Sequence, residues 1–275
     1  MNHSVLKRFK TAVNALPLSE ASFVPINALI DRAPTSEAIS PILQYTPDAG
    51  LAQMALVCTP ETIVAPMVQY FVDCGVAQNE MIHLERIARA INPSELGFFL
   101  RQEGNASSVG WTLLGPHSWD DLRGYLPPGN MRTKLQSWAA EQDIQNVLQY
   151  SRIVGPGVPL DEITVQIPDL NTALSLYEQE KMVLPPIPLL EEIEQSNPSK
   201  LALSIWISSR SELIRLAIRV DAPTLRLALA SRLELPSLPD ATHALIEGYL
   251  GVKAPSWVEI GLVAAGRDAQ IGYRG

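Results

Sequence analysis

The stretch ELGFFLRQEGNASSVGWTLLG, residues 95–115, predicts an antiparallel β-hairpin, because two apolar runs flank a short polar turn. Alternate residues of a strand share one side of a sheet, and residues directly opposite one another face the same way. A turn at residues 105–106 sets two pairs on one face: Arg101 with Gly110 and Phe99 with Thr112. This face mixes an arginine with glycines, a threonine and an aromatic ring, whereas the other face is aliphatic.

Two C-terminal segments divide their residues between two faces in the same way. Residues 199–220, SKLALSIWISSRSELIRLAIRV, predict a hairpin with two pairs on the mixed face: Trp206 with Arg215 and Ala202 with Arg219. Residues 257–275, WVEIGLVAAGRDAQIGYRG, predict a third hairpin, whose turn at 266–267 gives two more pairs: Glu259 with Arg274 and Gly261 with Gly272. The partition into an aliphatic and a mixed face therefore recurs in three hairpins.

The mixed face meets either bulk water or an enclosed interior, since amphipathic helices between the hairpins can cover the aliphatic face. Solvent-exposed faces of sheets usually carry many Lys, Glu and Thr residues. Here glycine, serine and aromatic residues dominate, and arginine is the only frequent charge. Glycines leave space for a ligand and aromatic rings give it an apolar surface to contact, so the pattern favours an interior that binds a ligand.

The rest of the chain supplies another hairpin and several helices. Residues 40–58, SPILQYTPDAGLAQMALVC, predict two strands around a Pro-Asp-Ala-Gly turn. The order hairpin, two helices, hairpin then occurs around 42–114 and again around 201–274, which fits either an internal duplication or chance. Further elements are predicted as follows: helices at 79–92 with Asn79 as cap, 118–126 with Ser118 as cap, 131–153, 186–195, 222–233 and 240–251, and a strand at 162–167 without a clear partner.

Composition limits the class of protein. The chain has 275 residues, of which 47% are hydrophobic, so we expect one domain over residues 1–275. The net charge of -8 argues against nucleic acid, which requires a basic surface. No apolar run approaches the ~20 residues of a membrane span, and no apolar core follows the charged N-terminus, so a cytoplasmic protein is predicted. The four histidines are scattered, so no metal site is predicted. Nucleotide-binding glycine motifs and a GxSxG elbow are absent, so nucleotide, flavin and serine-hydrolase functions have no support.

The series of hairpins followed by helices resembles the ABBA-type aromatic prenyltransferases. Two segments carry the resemblance: LAQMALVCTPETIVAPMVQYFVDCG at 51–75 and SVGWTLLGPHSWDDLRGYLPPG at 108–129. It covers Ile42–Gly115 and Leu201–Gly275 in the order of elements. That family closes five α-β-β-α units into a ten-strand barrel around a large chamber. The resemblance thus implies an α/β (α+β) fold of antiparallel hairpins alternating with helix pairs, with the helices outside the barrel.

The resemblance also implies an activity: transfer of a prenyl group from an allylic diphosphate to an aromatic small molecule or peptide side chain. Arginine forks suit a diphosphate, aromatic faces shield an allylic cation, and a carboxylate can take the proton of the acceptor. The roles then fall on three groups of residues: Arg101, Arg215, Arg219 and Arg274 for the diphosphate, Phe99, Thr112, Trp206 and Trp257 for the lining, and Glu259 as the base. No cofactor is predicted as required, and Mg²⁺ is left open as a companion of the diphosphate.

Plainer interpretations stand beside these roles. Glu259 and Arg274 would also fit an ordinary cross-strand ion pair, and Trp206 beside Arg215 would fit surface stacking. The family commonly uses lysines as well as arginines for the diphosphate, and apart from Lys200 at the very start of the second hairpin no lysine falls on the predicted strands. Two other functions therefore remain open: a cyclase or isomerase acting on an anionic substrate in the same barrel, and a non-catalytic binding protein. The sequence leaves the oligomeric state open.

Overall fold

Ten β-strands form the framework of the protein. The computed structural model describes residues 40–46, 51–59, 76–103, 106–125, 130–154, 159–179, 201–208, 214–220, 257–263 and 266–274, with single helical positions at 7, 10, 11, 27, 30, 31, 69 and 72. Over 201–274 the description is of the backbone. The strands are β1 Ser40–Thr46, β2 Leu51–Cys58, β3 Glu95–Glu103, β4 Ala106–Ser118, β5 Asn146–Val154, β6 Leu160–Gln166, β7 Leu201–Ser208, β8 Ile214–Val220, β9 Trp257–Val263 and β10 Gly266–Arg274.

Each strand pairs in antiparallel register with a neighbour on either side. The order is β1-β10-β9-β8-β7-β6-β5-β4-β3-β2, and the strands form a closed barrel. The first and last strands join the ring, with Ile42 opposite Arg274. The predicted mixed α/β class built on an antiparallel sheet is confirmed. The strand predicted at 162–167 corresponds to β6, and its missing partner is β5.

One face of this sheet points into the barrel, as an ion pair between distant strands demonstrates. Arg101 on β3 pairs with Glu162 on β6, although β4 and β5 lie between them. Three spacings of about 4.8 Å separate β3 from β6 by roughly 14 Å along the sheet, so the two side chains meet across the concave side. We call this side the interior face. Its described side chains include those of the predicted mixed face: Phe99, Arg101 and Thr112.

Helices cover the opposite, exterior face. Helices described over their whole length are α1 Gln78–Ile91, α2 Trp119–Arg123, α3 Asn130–Glu141 and α4 Leu170–Gln179. α1 buries Met81, Leu84 and Ile87 and contacts β4. The exterior face itself is apolar and buried at Leu96, Phe98, Leu100, Trp111, Leu113 and Val165. The apolar faces of sheet and helices thus bury one another.

The long helix predicted over 131–153 is wrong in its second half. α3 ends at Glu141, and residues 146–154 form β5. Asp143 adopts a left-handed conformation with φ 51°, its N–H donates to the Ala140 carbonyl, and the next N–H, of Ile144, donates to the Ala139 carbonyl. These two bonds close a helix C-terminus with a Schellman turn. Beyond it, NVLQYSRIV pairs with β4 on one side and with β6 on the other, so this apolar segment forms a strand inside the sheet.

Two hairpins differ from their predicted register by an even number of residues. Arg101 lies opposite Ser108 and Phe99 opposite Gly110, because the connection is at 104–105 rather than 105–106. Likewise Glu259 lies opposite Gln270, not opposite Arg274, because β9 and β10 are joined at 264–265. The predicted Glu259–Arg274 cross-strand pair is therefore wrong. In the hairpin of β7 and β8 the predicted pairs are observed: Trp206 with Arg215 and Ala202 with Arg219.

The helix ends agree in part with the sequence. Ser118 caps α2 by accepting a hydrogen bond from the Asp120 N–H at 3.2 Å, as predicted. α1 begins after Ala77, so Asn79 is not its cap, and it ends at Asn92, whose φ is 44°. α4 was not predicted; Asp169 caps it by accepting from the Thr172 N–H at 2.9 Å.

The helices predicted at 186–195, 222–233 and 240–251 lie outside the described residues. Among the helices that are described, none has both the length and the apolar character needed to cross a membrane.

Gly110 should tolerate no side chain, because the Phe99 ring covers it inside the barrel. A Cβ there would meet this ring and lie 2.5 Å from the Arg152 carbonyl oxygen. We expect Gly110→Ala to lower the free energy of unfolding by about 1–3 kcal/mol through overpacking. Gly124→Ala is the matched control, since a Cβ at Gly124 has no neighbour within 4 Å. Urea denaturation of both variants tests this, and equal stabilities would contradict the packing described.

Candidate functional site

Among the described side chains, a buried ion pair inside the barrel centres on Arg101. Its guanidinium donates from Nη1 and Nη2 to the two carboxylate oxygens of Glu162, at 2.5 and 2.7 Å. Its Nε donates to Oε1 of Gln53 at 2.9 Å. The Arg101 side chain is 18% exposed and that of Glu162 only 4%, so the ion pair is largely withdrawn from water. Such a bidentate pair fixes both position and orientation of the guanidinium.

An aromatic ring lies beneath this cation. The Arg101 Cζ atom is 5.6 Å from the centroid of the Phe99 ring, within the range of a cation–π contact. Phe99 itself is 1% exposed, and Gly110 leaves the space that its ring fills. The structure thus brings together two of the residues predicted for the site, Arg101 and Phe99, on neighbouring positions of one strand face.

Hydroxyl groups continue the polar part of the interior face. Ser151 donates to Thr112 Oγ1 at 2.8 Å, and Gln149 Nε2 donates to Ser151 Oγ at 2.8 Å. Ser151 is also the direct cross-strand partner of Glu162. Thr112, a predicted lining residue, is 3% exposed. Through Ser151 it belongs to a hydrogen-bonded group next to Glu162. Nowhere in the described ranges do three or more His, Cys, Asp or Glu side chains gather as metal ligands would.

Apolar side chains fill another part of the same interior. Ala55, Val57, Phe99 and Ile153 form one buried cluster, against which Ile42, Leu114 and Leu160 pack. These residues come from β1 to β6 and all belong to the interior face. Beside the Arg101–Glu162 pair the described interior is therefore apolar, and an apolar surrounding strengthens electrostatic interactions.

The other predicted site residues are placed by backbone register. Trp206 lies opposite Thr164 of β6 as well as Arg215, which puts both positions on the interior face with Glu162. Glu259 lies between Arg219 of β8 and Gln270 of β10, and Trp257 lies opposite Gly272. The position of Arg274, opposite Ile42, is likewise interior. The register thus sets every predicted site residue at an interior position, on β3, β4, β7, β8, β9 or β10.

Sequence reasoning missed Glu162 and Gln53, the two partners of Arg101. Glu162 lies in DEITVQ, a strand that the sequence did indicate, and alternation from Thr164 would have placed it on the mixed face. Gln53 lies in the predicted hairpin of residues 40–58 and is the direct cross-strand neighbour of Arg101. The signal existed in both strands; the order of strands in the barrel was the missing information.

A second buried polar group lies on the exterior face beneath α1. Arg152 on β5 donates to Glu80 of α1 at 2.7 Å and to Asp161 of β6 at 2.9 Å. Tyr150 donates its hydroxyl to Asp161 at 2.6 Å. Burial opposes the charge of Arg152, but the hydrogen bonds with Glu80 and the two negative charges outweigh it and raise its pKa. Burial and the neighbouring Asp161 raise the pKa of Tyr150, so the phenol stays protonated. This group fastens α1 to the barrel.

His83 on α1 makes the stability of the folded protein sensitive to pH. Its ring lies against Trp111, with centroids 6.1 Å apart, and burial, followed by the charge of Arg152, lowers its pKa below 6.5. Glu80 and Asp161 act in the opposite sense, and Arg86 adds to the lowering. As the pH falls, His83 of the unfolded chain therefore binds a proton before His83 of the folded protein does. Neutral His83 contributes its full stabilisation of the fold well above pH 6.5, and this contribution is lost as the pH falls through the folded pKa.

We therefore expect the free energy of unfolding to decrease as the pH is lowered from above 6.5 through the folded pKa of His83. His83→Gln should reduce this slope without abolishing it, because burial also lowers the pKa of His117. Urea denaturation of both proteins at each pH measures the difference. An identical slope in wild type and variant would contradict the role given to His83.

Comparison with known proteins bears on the architecture. No family model matches the chain, and no curated protein does. Among solved structures the fold is similar to the crystal structure of AnaPT from Neosartorya fischeri, with a TM-score of 0.55 and 8% sequence identity. The similarity covers 88% of this chain and 79% of the AnaPT chain. At this identity, what the chain shares with AnaPT is the fold alone.

Proposed function

We propose that the protein transfers a prenyl group from an allylic diphosphate to an aromatic small molecule or peptide side chain, inside the barrel. AnaPT, whose fold it shares, is an aromatic prenyltransferase of the ABBA fold. The observation that carries the proposal is the interior Arg101, held by Glu162 and lying over Phe99. A guanidinium and an aromatic ring on one surface are what a diphosphate leaving group and an allylic cation require.

The proposed roles follow the reaction. Breaking the bond between C1 of the allyl group and the diphosphate oxygen places negative charge on the leaving group, which four arginines receive: Arg101, Arg215, Arg219 and Arg274. The allylic carbon becomes cationic and is shielded by aromatic and apolar residues: Phe99, Thr112, Trp206 and Trp257. After the new bond to the acceptor forms, a carboxylate takes the displaced proton, and Glu259 is the proposed base.

A transfer assay tests the proposal. The protein is incubated with labelled dimethylallyl or geranyl diphosphate, each with indoles, phenols or a tyrosine-containing peptide, in the presence of Mg²⁺ and in the presence of EDTA. We expect labelled product that requires both substrates, with one diphosphate released for each prenyl group transferred. Release of diphosphate without attachment to any acceptor would contradict prenyl transfer. The two metal conditions decide whether Mg²⁺ assists.

One observation favours a second candidate, a cyclase or isomerase in the same barrel. The charge of Arg101 is already balanced by Glu162, so the described part of the interior holds a matched ion pair rather than an uncompensated anion site. A substrate that carries less charge than a diphosphate would suit such an interior. A rearranged product formed without acceptor from an allylic monophosphate, added to the same assay in place of the diphosphate, would support this candidate. Failure to bind or convert any of these compounds would favour the non-catalytic binding protein.

A further inference from the structure

We propose that Glu162 is an internal competitor for the anion site of Arg101, and that an entering diphosphate must displace it. The inference rests on the proposed function, since it takes a diphosphate as the ligand of Arg101. It adds that the empty protein keeps this site closed with its own carboxylate. Binding of the leaving group and release of Glu162 would then be one coupled event.

The geometry of the guanidinium supports the competition. Both terminal nitrogens of Arg101 donate to Glu162, at 2.5 and 2.7 Å, in the parallel arrangement that a phosphate oxygen pair also accepts. A carboxylate and a phosphate group cannot occupy this edge of the guanidinium together. The Nε atom is engaged separately by Gln53 at 2.9 Å, so the guanidinium keeps its orientation whichever anion it holds.

The charges indicate why exchange is feasible inside a buried site. Removing one partner of a buried ion pair without replacement is strongly unfavourable, so without another anion Glu162 leaves Arg101 in only a minority of molecules. A diphosphate brings more negative charge than one carboxylate and can satisfy the same two donors. Any further cation nearby would favour the diphosphate over the carboxylate, because the diphosphate carries more negative charge. The register sets the positions of Arg215, Arg219 and Arg274 on the same interior face.

The displaced carboxylate would find polar neighbours. Ser151 lies directly opposite Glu162 on β5, and its hydroxyl already belongs to a hydrogen-bonded group with Thr112 and Gln149. A carboxylate freed from Arg101 can accept hydrogen bonds that it could not accept while paired in this way. Loading of the anion site thus changes Glu162 from the partner of an arginine into an acceptor facing the second substrate.

Calorimetric titration with inorganic pyrophosphate tests the competition. The apparent affinity of a ligand equals its intrinsic affinity multiplied by the fraction of protein whose site is open. If the site is open in about one molecule in ten, the affinity is lowered about tenfold. We therefore expect Glu162→Gln, which removes the competing charge, to bind pyrophosphate about tenfold more tightly than wild type. The control is Glu178→Gln, which removes the same charge from an exposed position of α4 and should bind as wild type does.

The outcomes separate this inference from the proposed function. Equal affinity of wild type and Glu162→Gln would overturn the competition and leave the diphosphate site standing. Absence of pyrophosphate binding in every variant would overturn the diphosphate site itself, and the competition with it. If Glu162→Gln fails to fold, Glu162→Asp replaces it: the shorter carboxylate cannot reach both guanidinium nitrogens, and tighter binding than wild type is again expected.

Discussion

Replacing Arg152 by methionine is expected to lower the free energy of unfolding by about 3–5 kcal/mol, the largest effect on stability that the described contacts predict. Arg152 binds Glu80 and Asp161, and their side chains are only 10% and 4% exposed. Methionine fills most of the volume of the arginine stem but supplies no donor. The carboxylates of Glu80 and Asp161 would then remain beneath α1 without the Arg152 cation.

Arg89→Met is the matched control for this change. Arg89 lies on α1 and pairs with Glu85 at 3.5 Å, but the two side chains are 83% and 46% exposed. An exposed pair of this kind contributes about 0.3–0.5 kcal/mol, so the control should be nearly as stable as wild type. Urea denaturation followed by tryptophan fluorescence compares the three proteins, since Trp111 packs against Tyr150 in the same region. A loss below about 1 kcal/mol in Arg152→Met would show that the group beneath α1 tolerates the removal of its cation.

The faces of the strands could be predicted from sequence even where the register could not. A two-residue connection that moves by one residue changes the register by two, and a register change of two leaves each residue on its face. This is why Arg101 kept its side of the sheet although its partner is Ser108 rather than Gly110. The error of four residues between β9 and β10 preserved the face of Glu259 for the same reason.

What the sequence could not supply was the neighbourhood across the barrel. Arg101 and Glu162 are 61 residues apart, on strands that are not adjacent, so no local pattern links them. The sequence also led to a helix where β5 lies, because NVLQYSRIV follows α3 closely and its apolar residues fit a helical period as well. Without β5 the position of β6 in the ring was undetermined, and with it the partner of Arg101.

Replacing Arg101 by methionine is expected to lower prenyl transfer by about 100-fold or more, because removal of one donor to a developing anion has effects of that size. The same change leaves Glu162 buried without its cation, which should reduce stability by about 3 kcal/mol. A loss of activity in this variant alone would therefore mix two causes. The double variant Arg101→Met/Glu162→Met separates them, since it removes both charges from the pair.

Replacement of a buried ion pair by apolar residues of similar size is often neutral or stabilising, so the double variant should regain the stability of wild type within about 1 kcal/mol. Its rate of prenyl transfer should remain as low as that of Arg101→Met, because the cation that receives the diphosphate is still missing. Stability is measured by urea denaturation and transfer by the release of labelled product. If the double variant recovered both stability and transfer, the contribution of Arg101 would lie in holding Glu162 rather than in binding the leaving group. The diphosphate would then have to be held by the arginines on β8 and β10.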